Sequence, residues 1–548
     1  MSNNILYNSH SKNKLISGAF VLILSNLLTK IIGVVFKIPL YNVLNDIGMS
    51  YFNTSYNIFI TLYVIIVTGL PVASSMMISN ARTEGRIKTI KKIFNITFFL
   101  FFILGTLGFL FLFLLSNHLA FLTGDPKTAS SIKFISPAIF FICISCSIRG
   151  YFQGHKNMST TSVSEIIESV GKFVLGYLFA VLSINKGYSI EQSAAFAVLG
   201  VVAGEALSMV YMIFVKLFKK THYENVIDNE ELPDTGYIIK LLLIISLPIM
   251  LEALTLNLTT AVDTFTIVNI LSNSLGVDQA SKIFGDYSTC VITLFRIPSA
   301  FFVPIATVVI PSLVETRTAK DSIKQKLILN GITKLYLIIA IPMTFGMIIL
   351  SKPLLAMLFK NSNYELMYPL LIIMCLSIIT SGYYTISTAY LQAFEKQTKP
   401  VISAFVGVIV KLALNIFLLF IPGIGIFGAP IAFFFSYLTM AGMNYIFVRK
   451  YIPEKILLFK NLLKPLIASI ISSLITVGSY LLFNYLINNT CGIIVSVVLT
   501  IGVYFIVIIK INVFSKDELT KIPKGEIIYN FLEKLHLIRK TDNNIENT

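Results

Sequence analysis

Apolar runs long enough to cross a lipid bilayer recur along nearly the whole chain, and they fix the solvent before they fix a fold. A bilayer core about 30 Å thick takes about 20 apolar residues per helix, and inside lipid a helix satisfies its own backbone groups. By that rule about fourteen spans begin near Leu15, Tyr51, Phe94, Ile132, Thr161, Ser193, Ile238, Phe284, Ile328, Leu366, Val401, Gly425, Leu462 and Gly492. Composition agrees: with 55% apolar residues, 13% charged and a mean hydropathy of +0.81, a soluble fold of 548 residues could not hide its apolar surface. The first run is too long for the apolar part of a signal peptide and lacks a small-residue cleavage motif, so it is expected to stay as a helix. The fold class is an all-α polytopic membrane protein.

Charge orders the spans. Assigning loops alternately puts "RTEGRIKTIKK" (Arg82–Lys92), "KLFKK" (Lys216–Lys220), "RTAKDSIKQK" (Arg317–Lys326) and "RKYIPEK" (Arg449–Lys455) on one side, with the amino terminus and the tail after Lys510. That side collects about 28 Lys and Arg against about five opposite, which the positive-inside rule reads as cytoplasmic. Both termini are expected inside, consistent with an even number of spans in a bacterial plasma membrane. The net charge of +16 is distributed between apolar runs rather than in one patch, which argues against nucleic acid.

The chain also resembles itself. Shifted by about 235 residues, Gly69–Lys92 matches Phe302–Lys326 in character: an intramembrane proline (Pro71, Pro304), an apolar half-helix, then a charged loop. Gln153 precedes Lys172 at the same spacing as Gln392 precedes Lys411. Spans one to six thus read as a copy of spans seven to twelve, with two spans appended. Six being even, the copies insert in parallel, a plan used by transporters with a midplane site between lobes. The expected divisions are an N-lobe over 1–220, an acidic linker over 221–237, a C-lobe over 238–450, a final helix pair over 451–513, and a tail over 514–548. An apolar stripe through Ile527, Ile528, Phe531, Leu532, Leu535 and Ile538 reads as an amphipathic helix on the inner leaflet, or as a solvated tail helix.

Ionisable residues inside spans are where function is to be sought, because each costs about 2.5–3.5 kcal/mol at a helix centre on insertion scales. Lys30 and Lys37 lie in the first span, Arg149 near the end of the fourth, Lys172 in the fifth, Arg296 in the eighth and Lys411 in the eleventh. Glu168 and Lys172, four apart, face one another on a helix; Lys37 has the alternative of snorkelling to the interface. The acids are Glu168, Glu205, Glu252 and Asp263, with Glu165 beside them. They are candidates for holding a coupling Na⁺ or H⁺, or for structural pairing. The cationic surplus points to an anionic cargo, with Lys30, Lys37 and Arg296 as diphosphate ligands and Lys172, Lys411, Arg149, Gln153 and Gln392 as further cavity or supporting residues. A cationic cavity would also respond to membrane potential, at about 2.3 kcal/mol per charge per 100 mV.

Enzyme chemistry is not indicated. There is no GxxxxGK[ST], HExxH or GxSxG motif, and His10, His118, His155, His222 and His536 are scattered. The five cysteines, including the Cys143/Cys146 pair, sit in apolar segments and read as helix packing rather than metal or redox sites; Gly200 and Gly204 form a GxxxG packing signal. No cofactor or metal is implied.

The stretches "LLTKIIGVVFKIPLYNVL…IGMSYF", "GLPVASS", "RGYFQG" and "VDTFTI", with fourteen spans in a duplicated six-helix lobe, resemble the polysaccharide-flippase branch of the MOP exporter superfamily. Within it the chain is most similar to the SpoVB/YtgP group, relatives of the lipid II flippases, and the resemblance covers essentially the whole sequence. It implies a MATE-like pair of lobes, alternating access, a cationic cavity for an undecaprenyl-type lipid-linked saccharide diphosphate, and a groove for the lipid tail at spans thirteen and fourteen. Lys30 falls where the family has a first-helix arginine, and Lys37 one residue beyond a second; Arg296 lies in the span that carries another cavity arginine. The second span has no arginine where lipid II flippases have one. The function expected is transfer of a lipid-linked saccharide, of the peptidoglycan-precursor or a related polysaccharide or sporulation type, from inner to outer leaflet by a monomer, with cell-wall synthases as further partners. The alternatives are a cation-coupled multidrug antiporter of the same superfamily and a non-transporting cell-wall scaffold.

Overall fold

The computed structural model describes residues 2–219 and 230–511. Among them there are helices and no strands: α1 (Ser2–Val67), α2 (Leu70–Thr83), α3 (Ile87–Leu114), α4 (Ser116–Leu122), α5 (Ala129–Ile135), α6 (Pro137–Gly154), α7 (Met158–Asn185), α8 (Ile190–Phe218), α9 (Thr235–Leu275), α10 (Val277–Asp286), α11 (Ile292–Ser299), α12 (Phe302–Thr318), α13 (Ser322–Ile349), α14 (Ser351–Leu358), α15 (Tyr364–Ala393), α16 (Thr398–Leu419), α17 (Gly428–Tyr451), α18 (Leu458–Leu486) and α19 (Asn489–Lys510). A five-residue π-helix, Tyr287–Val291, joins α10 to α11.

Thirteen stretches among the described residues are long and apolar enough to cross a membrane. One of them, Leu28–Thr83, is 56 residues long, roughly 84 Å of helix against a hydrocarbon core of about 30 Å, and it is broken at Asn45, whose φ is 56°. Two crossings share it, which reconciles thirteen stretches with fourteen spans. Lipid-facing sides stay greasy: Phe99, Leu107 and Leu114 on α3 and Leu474 and Leu481 on α18 are exposed. The amphipathic tail and most of the acidic linker lie outside the described residues.

The repeat read from the sequence is written into the helix boundaries. Helices α3 and α13 are both 28 residues long and start 235 residues apart, and each breaks at a leucine, Leu115 or Leu350, into a short helix. The charged turns correspond too. Arg82 Nη1 donates to the His155 carbonyl (2.7 Å), and Arg317 Nη1 to the Ala393 carbonyl (2.9 Å). Lys156 and Glu395, 239 apart, both take positive φ (60° and 58°) to end α6 and α15. These turns explain part of the Gln register: the Gln153 carbonyl accepts from the Lys156 amide (2.8 Å) and the Gln392 carbonyl from the Glu395 amide (3.0 Å).

The described residues pack as two compact units. One holds residues 2–219, 230–300, 361–363 and 400–439, and the other residues 301–360, 364–399 and 440–511. In the first, α6 is buried almost all round among α2, α3, α7 and α8; in the second, α15 plays the same part beside α12, α13 and α14.

Candidate functional site

All the intramembrane cations singled out from the sequence fall in the first unit, and they divide into two kinds. Three are neutralised. Lys411, on α16, is fully buried and bonds Asp263 Oδ2 of α9 at 2.7 Å, with the Thr259 carbonyl as a second acceptor. Asp263 Oδ1 takes a further bond from Asn415 (2.9 Å). Arg149, on α6, donates to Ser164 (2.9 Å), to Ser208 (2.9 Å) and to Glu168 Oε2 (2.9 Å). Lys172 sits 3.8 Å from the other Glu168 oxygen and 3.4 Å from the Tyr56 hydroxyl. The helical Glu168–Lys172 pair is therefore real but is the longer of the two contacts to Glu168.

Helix packing brings these groups together. At Gly200 a Cβ would lie 2.1 Å from the Gly176 Cα, and at Gly204 one would lie 2.6 Å from the Glu168 carbonyl oxygen. The GxxxG signal is thus the contact that lays α8 on α7 and carries Glu205 beside Glu168. Glu205 is buried, its Oε2 has no hydrogen-bond partner among the described residues, and it acts electrostatically on Glu168.

The other three cations have no carboxylate partner among the described residues. Lys30 and Arg296 are exposed and Lys37 is partly buried. Arg296 is close enough to act electrostatically on both lysines, so the structure brings the three together. Lys37 Nζ donates to Asn53 Oδ1 (2.8 Å) instead of snorkelling, and Asn53 donates onward to Ser288 (3.0 Å) and Thr289 (2.7 Å) of the π-helix. A π-turn widens the helix and re-aims its polar groups. Arg296 lies within the electrostatic reach of Tyr56 and Tyr437. Tyr56 contacts Lys172, and Tyr437 hydrogen-bonds Thr259, whose carbonyl receives Lys411. The repeat-related lysines thus stand behind two tyrosines that face one arginine. Asn53, Tyr56 and Tyr437 escaped the sequence reading because neutral polar residues do not interrupt an apolar run.

Gln153 and Gln392 are half-buried at the ends of α6 and α15, in the charged turns. Glu252 lies on α9, and its side chain is outside the described residues.

At the ends of the spans opposite the charged loops, the first unit is interlocked. Tyr41 donates to Asp286 Oδ1, whose other oxygen accepts from the Asn363 amide (3.2 Å). Ser281 donates to Asp125 (2.5 Å), Lys127 pairs with Asp278 (2.9 Å), and Asn361 donates to Asn45 at the kink (3.1 Å). Only a residue without a side chain fits at Gly285, where a Cβ would lie 1.8 Å from the Asp46 carbonyl oxygen.

The family described as polysaccharide biosynthesis protein matches residues 15–317, more than half of the chain. The chain belongs to that family. Two relatives of the chain come from Bacillus subtilis (strain 168): the uncharacterized membrane protein YabM, 28% identical over 526 residues (94% of this chain, 96% of YabM), and the lipid II flippase MurJ, 24% identical over 426 residues (74% and 77%). Among solved structures, lipid II flippase MurJ in an inward closed conformation superposes with a TM-score of 0.64 at 18% identity, covering 89% of this chain and 98% of MurJ. The chain is thus a multi-pass membrane protein with a transporter fold, and not an enzyme, in agreement with the resemblance read from its motifs.

Proposed function

We propose that this protein flips a lipid-linked saccharide diphosphate from the inner to the outer leaflet by alternating access, with Lys30, Lys37 and Arg296 receiving the diphosphate. The observation that carries the reading is the division among the cations: Lys172, Lys411 and Arg149 have acids, whereas these three converge with none among the described residues. Unpaired charge at membrane depth is unfavourable by about 2.5–3.5 kcal/mol per residue on insertion scales, so a cluster of three is a site awaiting an anion. Arg296 can offer a bidentate fork to phosphate oxygens and the lysines point charges. Asn53, held by Ser288 and Thr289, orients the Lys37 ammonium.

The saccharide stays hydrated between twin six-helix lobes (1–220 and 238–450), joined by the 221–237 linker, while the lipid tail remains in the bilayer beside α18 and α19. With the charged loops and both termini inside, the Tyr41–Asp286 and Lys127–Asp278 interlocks close the outer end, and transport requires them to open. MurJ, named for lipid II, supports the cargo class, and the headgroup is of the peptidoglycan-precursor or a related polysaccharide type. A cation-coupled drug antiporter would need an unpaired acidic site in place of this basic one.

Complementation tests the reading. Lys30→Ala, Lys37→Ala and Arg296→Ala should each abolish growth rescue of a flippase-deficient strain at normal membrane abundance. Wild-type rescue by all three would remove the cluster from the mechanism.

A further inference from the structure

The buried acid pair on α7 and α8 is not used by the diphosphate site, yet it stands one tyrosine away from it. Glu205 Oε2 is buried with no hydrogen-bond partner among the described residues, and the Gly204 contact lays this stretch of α8 against the Arg149–Glu168–Lys172 network. A buried carboxyl with an unpartnered oxygen is costly as an anion and much less so as the neutral acid. Glu168 already faces Arg149 at 2.9 Å and Lys172 at 3.8 Å, so its ionised form is the one held in place. Glu205 is the carboxyl of this pair with an oxygen placed to carry a hydrogen. We propose that Glu205 carries an exchangeable proton, shared with Glu168, whose occupancy is linked to filling of the cationic cluster through Lys172 and Tyr56.

The surroundings select a proton over a metal cation. The groups facing Glu205 are Arg149, Cys143 and Cys146 on α6, Glu168 and Lys172 on α7, and Tyr63 on α1, with Glu165 next to Arg149. Two fixed cations already press on the pair, and a third, carried by a metal, would meet their repulsion. Among the described residues no group of His, Cys, Asp or Glu is arranged to hold a metal ion. The repeat-related network offers no counterpart, because both oxygens of Asp263 are taken by Lys411 and Asn415.

The link is electrostatic and mechanical. When Glu205 loses its proton to water, the new carboxylate pulls the Lys172 ammonium toward the acid pair. The 3.4 Å contact of Lys172 with the Tyr56 hydroxyl lengthens, and Tyr56 is freed toward Arg296. In reverse, an anion at Arg296 adds negative potential beside the network and favours the protonated carboxyl. By linkage, protonation then tightens anion binding by the same factor.

This inference rests on the diphosphate reading, and the experiment separates the two. Infrared difference spectra of the unliganded full chain should show a deuteration-sensitive carboxylic acid C=O band that is absent in Glu205→Gln. Titration with farnesyl diphosphate, at a pH where that band is about half lost and in buffers of different ionisation enthalpy, should show the wild type taking up more protons per ligand bound than Glu205→Gln, in which that position cannot ionise. Proton release by the ligand itself is common to both and cancels. Identical spectra, or identical proton uptake, would overturn the proposal. If neither protein binds farnesyl diphosphate, the diphosphate reading and the linkage fall together, while the band still decides whether Glu205 holds a proton. Should Glu205→Gln fail to fold, Glu205→Asp keeps a titrating carboxyl and must shift the band; an unmoved band would assign it elsewhere and sink the idea.

Discussion

Lys411 and Lys30 are both lysines within spans, and they should respond to truncation in opposite ways. Lys411→Ala strands the fully buried Asp263 carboxylate, a loss of about 3–5 kcal/mol for a broken buried pair, read as lowered thermal stability and membrane abundance. The double substitution Lys411→Met with Asp263→Leu removes both charges and should recover most of that stability, which a thermal melt in detergent checks. Lys30→Ala strands no carboxylate among the described residues and should leave the melt unchanged while removing transport. The sequence showed where every one of these charges sits but not which were paired. Asp263 lies 148 residues before Lys411, and no pattern along the chain announces that α9 and α16 touch. Asn53 was invisible for a related reason: its role comes from what surrounds it, Lys37 on one side and the π-helix on the other.

At the scale of elements, the periodic features were the legible ones. Every apolar run became a helix, and GxxxG at Gly200 and Gly204 became the closest helix contact in the N-terminal spans, because backbone approach needs small residues and small residues are readable. Replacing Gly200 by Ile would force α7 and α8 apart; overpacking alone costs about 1–3 kcal/mol, and the partner atoms here are backbone. The expected outcome is a lower melting temperature together with loss of the Glu205–Glu168 infrared signature. The kink at Asn45 and the π-turn at Tyr287 were not legible, since both are local departures from helix that the sequence permits without demanding. The described end of the linker also titrates. Burial raises the Glu230 carboxyl, but bonds from the Thr89 (2.6 Å) and Lys88 (2.7 Å) amides and the Lys88 charge outweigh it and hold the group below its ordinary value. A lowered carboxyl contributes stability above its unfolded pKa, about 4.3 for Glu, and loses it as pH falls through the folded value. Protection of the α3 amino-terminal amides from hydrogen exchange should therefore persist at neutral pH and fade below pH about 4, and Glu230→Gln should remove that pH dependence.

At the scale of the whole molecule, the internal likeness was visible because prolines, charged turns and lysines stand in register along the chain, and the structure repeats helix lengths and turn bonds at nearly the same offsets. What the copies do with equivalent positions differs. Lys172 and Lys411 are related by the repeat, yet one joins a network with two acids and a proton to share, and the other is sealed by a single aspartate. That asymmetry gives the protein one exchangeable network and one fixed one, both bordering Arg296 through a tyrosine. The central claim is that the unpaired cluster carries a lipid diphosphate across the bilayer. Its most direct test is transbilayer movement of a defined lipid-linked saccharide diphosphate in proteoliposomes, scored by access of an external reagent to the headgroup. The account predicts movement with the wild type and with the Lys411→Met, Asp263→Leu double variant, and none with Lys30→Ala or Arg296→Ala. Equal movement by the cluster variants and the wild type would contradict it.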